Sequence, residues 1–162
     1  MIDLNDFEQK MLATIDQHGC QILRIFDPDG ETLDFSYSIG FESTLAQPEM
    51  LISGLPPETA KNFINDTLAL CRDEGFLLAD FARTDRLIKG LDCVFRSVRS
   101  DCLVPDYFGS AIWFAETQLN QPFSRAVQLV WPDRAGLLPW DQGFDEGFRG
   151  EQDQLWAEEN VH

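Results

Sequence analysis

Cys102 stands just before Val104-Pro105-Asp106, where a helix is expected to start, and the dipole at a helix N-terminus lowers a thiol pKa. That makes it the candidate nucleophile among Cys20, Cys71, Cys93 and Cys102. A cysteine nucleophile needs a base, and the chain offers only His18 and His162 as imidazoles. Cysteine as a small apolar filler explains all four positions without any chemistry. No catalytic residue is therefore assigned, and Cys102 stays a bare candidate. No metal site is expected either, since His18-Gly19-Cys20 supplies two ligands and no second pair follows at zinc-like spacing. No cofactor is expected: neither GxGxxG nor GxxxxGK[ST] occurs, and Gly40, Gly54, Gly75 and Gly90 stand alone. Carboxylates number 28, so neighbouring pairs arise by chance and none can be given an acid or base role from spacing.

Binding is better served than catalysis. In the stretch Gln128 to Trp140, QLVWPDRAGLLPW, an apolar run ends at Trp131-Pro132, where proline has no N–H to donate to a sheet. Asp133 and Gly136 suit the turn that follows, and Pro139-Trp140 makes a second stiff aromatic corner. Rigid amphipathic rings at a sheet end can anchor a partner or line a pocket, although capping the core is the commoner use of tryptophan. Tyr37, Trp131, Asp133 and Trp140 are the candidate ligand- or partner-binding residues.

The elements that must position them follow from periodicity. Phe7, Met11, Leu12 and Ile15 recur at helical spacing behind the cap residue Asn5, with Glu8 three residues on. Residues 20–26 and 31–39 alternate on either side of Asp27-Pro28-Asp29-Gly30 and read as a hairpin, with Leu33, Phe35, Tyr37 and Ile39 on one face. After Gly40-Phe41 comes a polar loop, then a buried strand over residues 48–55. A helix opens at Pro57 and carries the stripe Ala60, Phe63, Ile64, Thr67, Leu68 and Cys71. Phe76 to Phe81 reads as a short strand and residues 91–98 as a clearer one. A helix near Pro105-Asp106 and a strand from Ala126 to Trp131 complete the plan. The expectation is an α+β fold: one domain over residues 1–140, with a mostly antiparallel sheet of five or six strands and two or three packed helices.

Residues 141–162 carry seven acidic side chains against Arg149 and read as an acidic tail, solvated or partly disordered, with a weak helix at Gln154–Asn160. The competing reading docks Leu155 and Trp156 onto a partner.

The net charge of −16 repels phosphate backbones, so neither nucleic acid nor an anionic membrane is an expected partner, while a basic protein would be attracted. Arg83, Arg86, Lys89, Arg96 and Arg99 meet only Asp85 and Asp92, a local excess of +3. They read as partners for carboxylates elsewhere, or as an anion site if they cluster in space. Cysteines without a CxxC pair, no basic-then-apolar start over Met1 to Asp6 and no run of about 18 apolar residues point to a cytoplasmic protein.

The order of three motifs resembles the bacterial domain-of-unknown-function family numbered 4262. They are Tyr37, Ile39 and Gly40 in Tyr-x-Ile-Gly; Pro48 and Glu49 followed by Gly54-Leu55-Pro56; and Trp131-Pro132-Asp133 with Gly136 and Pro139-Trp140. The resemblance covers roughly Gln21 to Trp140 and implies a bacterial cytoplasmic α+β domain, with no activity to carry over. Many relatives carry a histidine where Gln47 stands, which weakens any reading that needs a titrating group there. Two functions are expected from these residues: a non-enzymatic acidic protein-interaction module of immunity-like or accessory kind, or a small-molecule binder or enzyme with a cleft near Tyr37, Asp133 and Trp140. Oligomeric state is left open.

Overall fold

The computed structural model describes residues 4–158. The first helix, α1 (Asp6–His18), starts where Asn5 and Glu8 exchange hydrogen bonds: the Asn5 side chain accepts from the Glu8 N–H at 2.7 Å, and the Glu8 carboxylate accepts from the Asn5 N–H at 3.0 Å. Strands β1 (Gln21–Ile25) and β2 (Phe35–Ile39) form the expected hairpin, followed by a short helix α2 (Phe41–Leu45) and β3 (Glu49–Ser53). Helix α3 (Pro57–Glu74) then leads to β4 (Arg83–Ile88), β5 (Leu91–Ser97), α4 (Pro105–Gln118) and β6 (Ala126–Val130).

The six strands make one mixed sheet in the order β1-β2-β3-β6-β5-β4. Every neighbouring pair is antiparallel except β3 and β6 at the centre, which run parallel. The two central strands are buried along their whole length and are largely apolar on both faces, as a strand covered on two sides requires. On one face, Met50, Ile52, Phe95, Val127 and Leu129 pack with Phe63, Ile64 and Leu68 of α3. On the other, Tyr37, Ile39 and Leu51 pack with Met11 and Ile15 of α1 and Phe108, Ala111 and Phe114 of α4. The α+β expectation holds as a single domain.

Three expectations are corrected. Residues 76–80 form no strand: Phe81 sits at φ 69° and gives its N–H to the Phe95 carbonyl at 2.7 Å, and the sixth strand lies later, at Arg83–Ile88. That strand was hidden because its exposed positions are Arg83, Asp85 and Arg86, which read as a charged segment. The polar loop after Gly40 contains the one-turn helix α2.

The segment after Asp141 is also more ordered than its charge suggests. Phe144, Leu155 and Trp156 are buried, Trp156 bridges to Val98, and residues 154–158 contain no helix. Leu155 and Trp156 dock onto the protein's own sheet, between carboxylates that face solvent. Their place is kept by Gly54 at φ 84°, where a Cβ would overlap the Glu151 carbonyl oxygen. The rest of the expected helix, 159–160, lies outside the described residues. Among the described residues no helix is long and apolar enough to cross a membrane.

Candidate functional site

The four binding candidates occupy separate places. Tyr37 is 1% exposed, and its hydroxyl oxygen accepts the Ser110 N–H of α4 at 3.0 Å, with its ring edge-on to Phe108. Burial raises its pKa. Trp131 packs in the cluster on the α3 side, where its Nε1–H donates to the Ser53 carbonyl at 2.9 Å. Asp133 holds its own turn: Oδ1 accepts from Ala135 at 3.0 Å and Leu137 at 2.9 Å, and Oδ2 from the Asp145 N–H at 2.8 Å. Burial, with Asp133 only 3% exposed, would raise its pKa, but these backbone donors outweigh it and hold the carboxyl below its ordinary value. Trp140 alone is open, 37% exposed, with its ring edge-on to Phe81 and Trp156 and the Arg96 guanidinium 5.1 Å from its centre. Tyr37 is sealed in the core and Asp133 is engaged by its turn, so the two do not open with Trp140 onto one cleft.

Cys102 is buried in a turn of 3-10 helix, Ser100–Cys102, with Arg99 Nη2 at 3.1 Å from its sulfur. The other three thiols are buried too, and burial pushes Cys20 and Cys93 up to about 12 and Cys71 to about 11. Among the described residues no group of three or more His, Cys, Asp or Glu side chains could hold a metal ion. The basic segment is dispersed by pairing: Arg83 to Asp92, Arg86 to Glu74, Arg96 to Asp80 and Arg99 to Asp101. Gln47 ties down the 76–78 segment by donating to the Phe76 carbonyl and accepting from the Leu78 N–H.

Glu49 is the side chain that sequence reasoning passed over as a site. It is 3% exposed at the start of β3, and its two oxygens accept four donors: Ser38 Oγ at 2.8 Å and the N–H groups of Phe41 at 2.9 Å, Gly40 at 3.0 Å and Glu42 at 3.4 Å. Burial nevertheless pushes its carboxyl up to about 7, against the lowering effect of those bonds. It lines a cleft of about 230 Å³ walled by Ala111, Phe114 and Phe123. Tyr-x-Ile-Gly and Pro-Glu are thus one construction, with the glutamate holding the backbone that follows the tyrosine. The signal available in sequence was only the co-occurrence of the two motifs.

A second concavity, of about 480 Å³, opens on the α4 side at the tip of the hairpin. Asp27, Glu31, Asp106 and Asp153 supply its carboxylates, and Phe26, Phe35 and Tyr107 its rings. Phe26 is 54% exposed, and Phe35 and Tyr107 lie 5.7 Å apart between ring centres. Asp27 is committed to the turn, accepting from the N–H groups of Asp29 and Glu31. Burial raises the pKa of Asp153 and, with the nearby Asp153 charge, that of Tyr107. The Arg24 guanidinium already lies 4.7 Å above the Phe26 ring, so the rim holds one cation of its own.

No curated protein and no solved structure matches this chain. One family pattern does, over residues 14–145, which takes in both motif pairs joined through Glu49 and the turn stapled by Asp133. The chain belongs to that family, DUF4262, described as a domain of unknown function.

Proposed function

We propose that the protein is a non-enzymatic, acidic interaction module of the cytoplasm, immunity-like or accessory in role, that engages a basic protein partner. The observation that carries this reading is the cleft at the hairpin tip, where four carboxylates and three aromatic rings line one concavity. Carboxylates attract a lysine or arginine side chain, and ring faces stabilise the cation once it is partly desolvated. The net charge of −16 steers a basic partner toward the protein and disfavours nucleic acid. Four free cysteines support a reducing compartment.

The test uses isotope-labelled protein and a capped hexa-arginine peptide at low salt. Saturable amide shifts at Phe26, Tyr107 and Asp153 are expected, weakening steeply with added salt, and weakened further in Tyr107→Ala with Asp106→Asn. Shifts spread evenly over the acidic surface would overturn the reading.

A second reading, a small-molecule binder or enzyme, draws support from Glu49 and its cleft rather than from Tyr37, Asp133 and Trp140. Each Glu49 oxygen already accepts two donors, so a ligand would have to displace one of them.

A further inference from the structure

The hairpin-tip cleft is walled by three parts of the chain: the hairpin itself, the start of α4 with Asp106 and Tyr107, and residues 150–153, which supply Gly150 and Asp153. The third wall belongs to a strap, residues 150–156, that forms no strand and is tied to β3 and β6 by side chains. Gln152 accepts the Trp131 N–H at 3.2 Å and donates to the Trp131 carbonyl at 2.8 Å. Ser53 Oγ accepts the Asp153 N–H at 2.8 Å, and Gln128 donates to the Asp153 carbonyl and accepts the Leu155 N–H at 2.9 Å. Ser53 and Gln128 are fully buried, and neither lines the cleft.

These ties set the Asp153 carboxylate, half-buried, near Tyr107. The placement is costly for a charge: burial raises the Asp153 pKa against the hydrogen bond that Ser53 gives it. A cation in the cleft offsets that cost only while the strap is docked, because a released strap returns Asp153 to water and takes one wall of the cleft with it. Release would also leave Ser53 and Gln128 without their partners and expose Leu155 and Trp156, so the docked strap is the resting state.

We propose that the strap is a latch for the hairpin-tip cleft: the cationic side chain of the partner binds only with residues 150–156 docked, and its binding in turn holds them there. The inference rests on the basic-partner reading above and adds a coupling that the reading does not require. By linkage, a bound cation favours the docked strap by the same factor by which docking favours the cation. Ser53 and Gln128 are then positioning residues for a site they do not touch, acting through Asp153.

Amide hydrogen exchange of the labelled full-length protein at low salt, with and without capped hexa-arginine, reads the coupling. Without peptide, the Asp153 and Leu155 amides, whose acceptors are Ser53 and Gln128, should exchange faster than the amides of β6, because the strap opens by itself. With peptide at about ten times its dissociation constant, the same two amides should slow about tenfold. Gly54→Ala sets a Cβ against the Glu151 carbonyl oxygen and so works against docking from outside the cleft. It should weaken hexa-arginine at least about tenfold, and adding Asp153→Asn should then cost little more. Strap amides that exchange no faster than those of β6 would overturn the latch, since the strap would then open only with the whole fold. Unchanged strap exchange while Phe26 and Tyr107 show saturable shifts would overturn the coupling and leave the basic-partner reading standing. Undiminished affinity in a Gly54→Ala protein whose strap amides exchange freely would do the same. Absence of saturable binding at the cleft in the natural protein would overturn both.

Discussion

Glu49 and Asp133 are two carboxylates in the same kind of task, and they titrate in opposite directions. Each accepts several donors from a loop that leaves a strand end: Glu49 holds Gly40 to Glu42, and Asp133 holds Ala135, Leu137 and Asp145. Donors to the charged form lower both values, and burial raises both. Burial wins at Glu49, between β3 and α4, while the donors win at Asp133, which is as little exposed, 3% in both cases, but is clamped by its own turn. A matched motif residue can therefore be a backbone clamp in either state, and a raised pKa beside a cleft does not by itself mark an acid or base.

Removing the Glu49 clamp should have the largest effect. Glu49→Ala leaves Ser38 and three N–H groups without their acceptor, and allowing for water entering from the adjacent cleft the loss should be about 4 kcal/mol in urea unfolding. A loss below about 1 kcal/mol would mean the loop is held by other contacts.

The next effect is the pH dependence of the same group. Its folded pKa, about 7, lies above the ordinary 4.5, so the folded state keeps the proton longer than the unfolded state. Its contribution is fully present below pH 4.5 and is lost as pH rises through about 7. The span amounts to about 3 kcal/mol. Unfolding midpoints at pH 5 and pH 8 should show this fall in the natural protein and a flatter profile in Glu49→Gln. A fall of equal size in the variant would assign it to other groups.

Much of this construction was legible in the sequence, and what was hidden has physical causes. The helices were visible because their stripes repeat at 3.6 residues and carry strong ends, Asn5 with Glu8 and Pro57. Arg83–Ile88 was hidden because an edge strand with one exposed face shows charge rather than alternation of apolar residues. The tail's order was hidden because composition weighs seven acids equally with Leu155 and Trp156, whereas two buried side chains and a close approach at Gly54 decide where the segment lies. As for the site, side-chain types in a motif do not reveal which of its polar groups are already satisfied. Tyr37 was singled out as a binding residue, yet its hydroxyl oxygen is occupied by the Ser110 N–H, and Glu49 was passed over.

Trp131 gives a smaller test, in the cluster on the α3 side of the sheet. Trp131→Phe keeps most of the ring burial but leaves the Ser53 carbonyl without its indole donor, at a cost of about 1 kcal/mol and with no change in pH profile.

Asp133→Asn should have the smallest effect and the opposite pH signature. The folded pKa of Asp133 lies below its ordinary 3.8, so its contribution is present above that value and is lost as pH falls through the folded one. With the Asp133→Asn side chain one oxygen can still accept from the turn, but the amide nitrogen that replaces the other oxygen cannot accept and faces a backbone donor. The variant should therefore lose a little stability at pH 7, and the difference from the natural protein should shrink on the acid side. Acid unfolding of both proteins followed by near-UV circular dichroism reads this directly. A gap that widens toward low pH would mean that Asp133 is clamped in its protonated form, and the contrast with Glu49 would then disappear.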